Sequence, residues 1–152
     1  MERGIVIAIG SDHAGYLLKE TLKNIIKSYG FDYHDFGTFS DQSVDYPDYA
    51  IPLCQSIVKV DYKYGILICG TGNGMSMTAN KFPEIRAALC WKPEIAVMAR
   101  QHNDANVLVL PSRHLTDEEA RLIFLSFVDT DFEGGRHIER LLKMSNSYQV
   151  EE

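Results

Sequence analysis

The sequence predicts an α/β domain in which helices cover both faces of a parallel β-sheet. Five short runs rich in β-branched residues alternate with longer segments of helical periodicity. The clearest of these runs, 5–10 and 64–69, are apolar on both faces, as strands buried between two helical layers are. The chain has 152 residues, which suits one domain of roughly 150 residues.

The first half of the chain contains three predicted strands and two helices. In the first helix, Leu18, Leu22 and Ile26 recur at helical spacing, and Gly30 follows as a C-terminal glycine. Pro52 is expected in the first turn of the second helix. The predicted order is strand 5–10, helix 15–29, strand 31–36, loop 37–48, helix 49–60 and strand 64–69.

The second half continues the alternation. Thr116 and Glu119 have the spacing of a capping box, which predicts the start of a helix. Gly134 and Gly135 break the chain before a final basic helix. The predicted order is glycine loop 70–74, helix 75–81, strand 85–91, helix 93–101, strand 105–110, helix 116–128 and helix 136–145.

Composition and charge narrow the function classes. Apolar residues make up 45% of the chain and charged residues 24%, which excludes a disordered protein. The net charge is −6 and no basic stripe is present, so we expect no nucleic-acid partner. No apolar run approaches the roughly 20 residues of a membrane span, and no signal-peptide pattern opens the chain. Three cysteines without a C-x-x-C spacing are typical of a reducing compartment, so we expect a cytoplasmic protein.

A glycine loop follows the third predicted strand, with Cys69 at the strand end. Ligands of parallel sheets bind beyond the carboxyl ends of the strands, which makes this loop a candidate site. Its N–H groups could hold an anion or oxyanion, and their positive field favours a thiolate at Cys69. A tight turn beside a small buried cysteine explains the same residues, and both interpretations stay open. The glycine spacing fits neither the dinucleotide fingerprint nor a Walker loop.

Two further segments carry histidine. Asp12 and His13 follow the first strand, where they could orient a proton donor or contact an anion, or where Ser11 or Asp12 could simply cap the next helix. His102 and Asn103 lie in a predicted polar turn before the fifth strand, where His102 could act as an acid or base. That turn belongs to the opposite edge of the sheet. It reaches a carboxyl-edge site only by bending over or by belonging to a neighbouring subunit.

Positive charge concentrates near the C-terminus of this acidic chain. Arg136 and Arg140 are four residues apart on one predicted helix, with His137 beside them, and Arg113 could join the cluster. Such a set suits a phosphate group, although a solvated basic face paired with nearby glutamates is an alternative. The histidines lack the short spacing of a metal motif, so we predict no catalytic metal.

Six segments together resemble the type B ribose-5-phosphate isomerase family, which also includes galactose-6-phosphate and allose-6-phosphate isomerases. They occur in family order along nearly the whole chain and leave only about the last dozen residues unmatched. The segments are Ser-Asp-His-Ala-Gly (11–15), Asp-Tyr-Pro (45–47), Ile-Cys-Gly-Thr-Gly-Asn-Gly-Met-Ser (68–76), Ala-Asn-Lys (79–81), Arg-Gln-His-Asn-Asp (100–104) and Glu-Gly-Gly-Arg-His (133–137).

The resemblance implies a proton shift between ribose 5-phosphate and ribulose 5-phosphate through a cis-enediolate, without metal or cofactor. Some family members carry a glutamate base where this chain has Met75, so Cys69 marks a cysteine-type enzyme. The implied roles are Cys69 as base; His102 with Asp12 or Thr71 in ring opening; Gly70, Gly72, Asn73 and Gly74 around the enediolate; Tyr46 and Asn103 on sugar hydroxyls; and His13, Arg113, Arg136, His137 and Arg140 on the phosphate.

The resemblance also implies an architecture. It is a Rossmann-like three-layer α/β/α sandwich with the strand order 2-1-3-5-4, formed by residues 1–152 as one isomerase domain. The implied assembly is a homodimer with shared active sites, in which the helix 136–145 serves both the dimer and the phosphate site. Pairing of dimers into tetramers stays open. The alternatives are an isomerase of a six-carbon sugar phosphate or a non-catalytic phosphate- or nucleotide-binding domain.

Overall fold

A parallel five-stranded sheet forms the centre of the computed structural model, which describes residues 4–146. Its order is β2-β1-β3-β5-β4, which confirms the strand order that the resemblance implies. The expectations for the chain start and for residues 147–152 lie outside the described residues. The strands are β1 (Val6–Ser11), β2 (Asp32–Asp35), β3 (Gly65–Cys69), β4 (Ala87–Leu89) and β5 (Val107–Pro111).

Helices cover both faces of this sheet, so the predicted three-layer sandwich is confirmed. One core packs around Ile9, Ile68 and Leu110, beneath α1, α4 and α5, and the other packs around Leu67 and Val109, beneath α2 and α3. No helix within residues 4–146 is long and apolar enough to cross a membrane. The helices are α1 (Tyr16–Ser28), α2 (Pro47–Val58), α3 (Asn73–Ala79), α4 (Pro93–Asn103), α5 (Asp117–Val128) and α6 (His137–Asn146).

Two predicted helix boundaries are confirmed in detail. The Thr116 hydroxyl accepts the N–H of Glu119 at 3.1 Å, and the Glu119 carboxylate accepts the N–H of Thr116 at 3.0 Å. Gly30 follows α1 with a φ of +92°, the left-handed conformation that glycine adopts without strain. The capping box therefore marks the start of α5, and Gly30 marks the end of α1, as the sequence predicted.

Other boundaries differ from the prediction, among them α3, which begins at Asn73 instead of residue 75, and β4, which is only Ala87–Leu89; α2 and α4 differ in informative ways. The helix α2 begins at Pro47, the first-turn position that proline favours, and Pro52 lies inside the helix instead of in its first turn. The helix α4 continues to Asn103, so His102 and Asn103 are helical and do not lie in a turn. Asp104 ends α4 with a φ of +45°, a left-handed conformation that aspartate tolerates better than most residues.

Candidate active site

The loops after β1, β3 and β5 meet at the carboxyl edge of the sheet. The N–H of Asp12 donates to the carbonyl of Ile68 at 3.2 Å, and the N–H of Arg113 donates to the carbonyl of Gly70 at 3.0 Å. The hydroxyl of Ser112 lies 3.1 Å from the carbonyl of Cys69. These bonds hold three loops around the end of β3.

Cys69 is the last residue of β3 and is 4% exposed. It packs in the core beneath α2 and α3, together with the buried side chain of Met75. The three cysteines are free, and burial raises the pKa of both Cys54 and Cys90 to about 12. Those two are therefore thiols at neutral pH, and Cys69 is the cysteine that adjoins the glycine loop.

Two glycines of the loop are needed for close approach by other side chains. A Cβ at Gly70 would lie 2.9 Å from the guanidinium of Arg113. A Cβ at Gly74 would lie 2.4 Å from the ring of Tyr46. Arg113 and Tyr46 thus lie directly on the glycine loop.

The remaining loop residues set up the start of α3. Gly72 precedes the helix with a φ of +79°, and a Cβ there would also overlap the side chain of Leu89. The N–H of Asn73 donates to the hydroxyl oxygen of Thr71 at 3.3 Å, and both side chains are exposed. Since that oxygen accepts, the hydroxyl hydrogen of Thr71 remains able to donate.

Asp12 and His13 are held in defined orientations. Asp12 is buried, and its Oδ1 accepts the N–H of Gly15 at 3.0 Å, so it closes the turn before α1 without capping the helix itself. His13 Nδ1 accepts the N–H of Val44 at 3.1 Å. In a neutral His13 ring the proton is therefore on Nε2, which can donate to a ligand.

A second group of predicted site residues lies where α4 meets α6. The rings of His102 and His137 stack with their centroids 4.6 Å apart. His137 is 4% exposed, and burial of its ring, followed by its electrostatic interactions with His102 and Arg136, holds its pKa below the usual value. The buried position therefore favours the neutral form of the His137 imidazole.

The basic residues beside this pair are exposed. Arg136 comes just before α6, so the predicted helix 136–145 begins one residue later, and Arg140 lies in its first turns. Of the neighbouring glutamates, Glu139 pairs with Lys143 at 3.6 Å and Glu133 lies 3.9 Å from His102. The arginines thus face solvent next to the histidine pair.

The two groups lie at opposite edges of the sheet. Cys69 pairs in register with Pro111, the last residue of β5, whereas His102 and Asn103 end the helix that leads into β5. The length of β5, about 13 Å at the usual rise of a parallel strand, lies between them. Within one chain His102 does not bend over to Cys69, and Arg113 belongs to the glycine loop and does not join the Arg136 cluster.

Arg100 is a residue whose importance the sequence reasoning missed. It is buried, and its guanidinium donates to Asp104 Oδ1 at 2.9 Å, to the carbonyl of Ala105 at 2.6 Å and to the carbonyl of Thr130 at 3.1 Å. These bonds fix the end of α4 and hence the position of His102. The spacing of Arg100 and Asp104, four residues apart, was the available signal.

Comparison with known proteins places this fold among the sugar-phosphate isomerases. The chain belongs to the Ribose/Galactose Isomerase family, whose model matches residues 7–144. This assignment confirms the resemblance drawn from the six sequence segments.

Individual relatives agree with this assignment. The chain is 42% identical to ribose-5-phosphate isomerase B of Escherichia coli over 135 residues, 89% of this chain and 91% of the relative. The crystal structure of a ribose 5-phosphate isomerase from Thermotoga maritima superposes with a TM-score of 0.92 at 50% identity, covering 93% of this chain and 98% of that one. The crystal structure of ribose-5-phosphate isomerase B from Mycoplasma genitalium, solved with bound ribulose-5-phosphate, has a TM-score of 0.91 at 39% identity. The match covers 99% of this chain and 100% of that one.

Proposed function

We propose that this protein interconverts ribose 5-phosphate and ribulose 5-phosphate without a metal, using Cys69 as the base. The observation that carries the proposal is the position of Cys69 at the end of β3, beside a glycine loop contacted by Arg113 and Tyr46. A thiol, backbone N–H donors and a cation are then available within one site. The substrate follows from the relatives, one of which is described with ribulose-5-phosphate bound.

The proton shift requires a base on one side and an oxyanion site on the other. Cys69 as thiolate removes the hydrogen from C2 of the open-chain aldose, and the electron pair forms the C1–C2 double bond of the enediolate. The same hydrogen returns to C1, while O1 gains a proton and O2 loses one. Backbone N–H groups of Gly70, Gly72 and Gly74, with Asn73 beside them, stabilise the negative oxygen.

Ring opening precedes this shift because the sugar is supplied mainly as a furanose. His102 donates a proton to the ring oxygen. The Asp12 carboxylate takes the proton of the O1 hydroxyl, or the exposed Thr71 hydroxyl relays it by accepting it while giving up its own hydrogen to water. Thr71 Oγ1 already accepts one backbone N–H, and Asp12 keeps its second carboxylate oxygen for the substrate. Tyr46 and Asn103 hold sugar hydroxyls.

The phosphate site combines both residue groups in a homodimer. His13 and Arg113 of one chain and Arg136, His137 and Arg140 of the partner surround the phosphate, which places α6 in the dimer contact. Charge-assisted bonds from arginine suit a dianion. We propose a cytoplasmic enzyme in which residues 1–152 act as one isomerase domain, in line with its three free thiols.

The phosphate assignment predicts a selective loss of substrate affinity. Arg136→Ala should raise KM strongly, because loss of one charge-assisted contact costs about 1.5–3 kcal/mol of binding. Inorganic phosphate should inhibit the wild type more than the variant in steady-state assays. Arg121→Ala, which removes an exposed arginine of α5 that pairs with Glu118, is the matched control and should leave KM unchanged. Equal phosphate inhibition of wild type and Arg136→Ala would indicate a merely solvated basic face.

Metal independence predicts that chelation does not stop the reaction. The proposed proton transfers use only side chains and backbone N–H groups of the chain. After prolonged dialysis against EDTA, kcat should equal that of the untreated enzyme. Loss of activity on chelation, with recovery on adding a divalent ion, would contradict the scheme.

A six-carbon substrate is the alternative, because the family description names galactose beside ribose. The purified chain should be assayed with ribose 5-phosphate, allose 6-phosphate and galactose 6-phosphate. We expect the highest kcat/KM with ribose 5-phosphate. A higher value with a six-carbon sugar would reassign the substrate, and turnover of none of the three would point to a non-catalytic phosphate- or nucleotide-binding protein.

A further inference from the structure

The junction of α4 and α6 brings His102 together with Glu133 and His137, which are four residues apart and lie much later in the chain. His102 ends α4, Glu133 precedes α6 and His137 begins it. One ligand-type atom from each of them lies within 4.8 Å of the others. The four-residue spacing of Glu133 and His137 is visible in the sequence, whereas the approach of His102 to them depends on tertiary packing.

The buried ring of His137 gives a second observation that points to a ligand at this cluster. His137 is 4% exposed, yet its Nε2 has no hydrogen-bond partner within residues 4–146. Buried polar side-chain atoms nearly always have one. The ring stacks on His102, so the imidazole with the unpaired nitrogen belongs to the cluster itself.

We propose that His102, Glu133 and His137 bind a divalent transition-metal ion such as Zn²⁺, and that this ion inhibits the isomerase. Two imidazoles and one carboxylate are a ligand set that zinc favours, with a fourth position open to water or an anion. The side chains of His102 and Glu133 are 39% and 57% exposed, so both can rotate to close around the ion. Inhibition rests on the proposed function, because a metal-bound His102 cannot donate a proton during ring opening.

The charges nearby decide which ions can bind. Arg136 and Arg140 adjoin His137 and repel any cation, and the carboxylate of Glu133 offsets part of their charge. An ion held mainly by charge, such as Mg²⁺, prefers oxygen ligands and gains little here. Zinc forms strong bonds to imidazole nitrogen, so the site should select for it.

The test is a titration of the purified chain with ZnCl₂ in phosphate-free buffer, followed by calorimetry and, separately, by residual isomerase activity. We expect one zinc ion per chain and inhibition with the same concentration dependence. Glu133→Gln should keep the metal-free activity of the wild type but bind zinc about tenfold more weakly or worse, with a parallel loss of inhibition. Glu139→Gln, an exposed change on α6, is the matched control and should behave as wild type.

Two further sets of variants distinguish this zinc site from other possible zinc sites on the chain. Cys69→Ala should bind zinc with wild-type affinity; loss of binding in that variant would place the ion on the thiol and overturn the proposal. Equal zinc affinity of wild type, Glu133→Gln and His137→Ala would also overturn it, and zinc binding without inhibition would overturn the inhibitory role. If the metal-free wild type isomerises no sugar phosphate, the proposed function fails, while calorimetry still decides whether the metal site exists.

Discussion

Replacement of Cys69 by alanine is expected to lower kcat by about 10²- to 10⁴-fold, the range typical for loss of a general base. Alanine cannot accept the C2 proton, and no step of the proposed scheme gives that role to another group. Substrate binding should survive, because the phosphate is held elsewhere. Steady-state kinetics with ribose 5-phosphate, together with calorimetric binding of the substrate to the variant, measure both quantities.

The other two cysteines are the controls for this variant. Cys54 lies in α2 and Cys90 follows β4, and burial raises the pKa of each to about 12. Cys54→Ala and Cys90→Ala should therefore change kcat little. If Cys69→Ala keeps a near-wild-type kcat, the base must be another residue and the assignment is wrong.

The central strands could be predicted because their apolar pattern reflects burial on both faces of the sheet. All residues of β3 and β5 are buried, and both runs are apolar on both faces, as parallel strands between two helical layers must be. The end of α4 could not be predicted in the same way. Asp104 adopts a left-handed conformation there without the glycine that usually signals it, and the buried bonds of Arg100 support it.

The part of the site at the carboxyl edge of the sheet was predictable from the rule that parallel sheets bind ligands beyond the carboxyl ends of their strands. Parallel strands end at one edge, so Asp12 and Cys69 were expected at the same edge. Arg113 follows β5 at that edge too, whereas the charge pattern alone had grouped it with Arg136. The contacts of Tyr46 with Gly74 and of His102 with His137 were not predictable from spacing. They depend on how α2 and α6 pack in three dimensions, which periodicity does not specify.

The proposed active site needs residues from both edges of the sheet. Cys69 lies at the carboxyl edge of the sheet and His102 at the amino edge, beyond the far end of β5. One chain therefore cannot place both side chains on one sugar. A two-fold dimer can, because it brings the same two patches together twice.

Mixed dimers test this arrangement directly. Cys69→Ala and His102→Ala should each be inactive alone, and they should be unfolded and refolded together in equal amounts. Random pairing makes about half of the dimers mixed, and each mixed dimer has one site with both residues intact and one site that lacks both. About a quarter of all sites should therefore recover activity.

Each variant refolded alone is the control and should stay inactive. If the site lay within one chain, every site in the mixture would still lack one residue. A refolded mixture that is dimeric by size-exclusion chromatography with light scattering, yet inactive, would refute the shared site and the role of His102 in it.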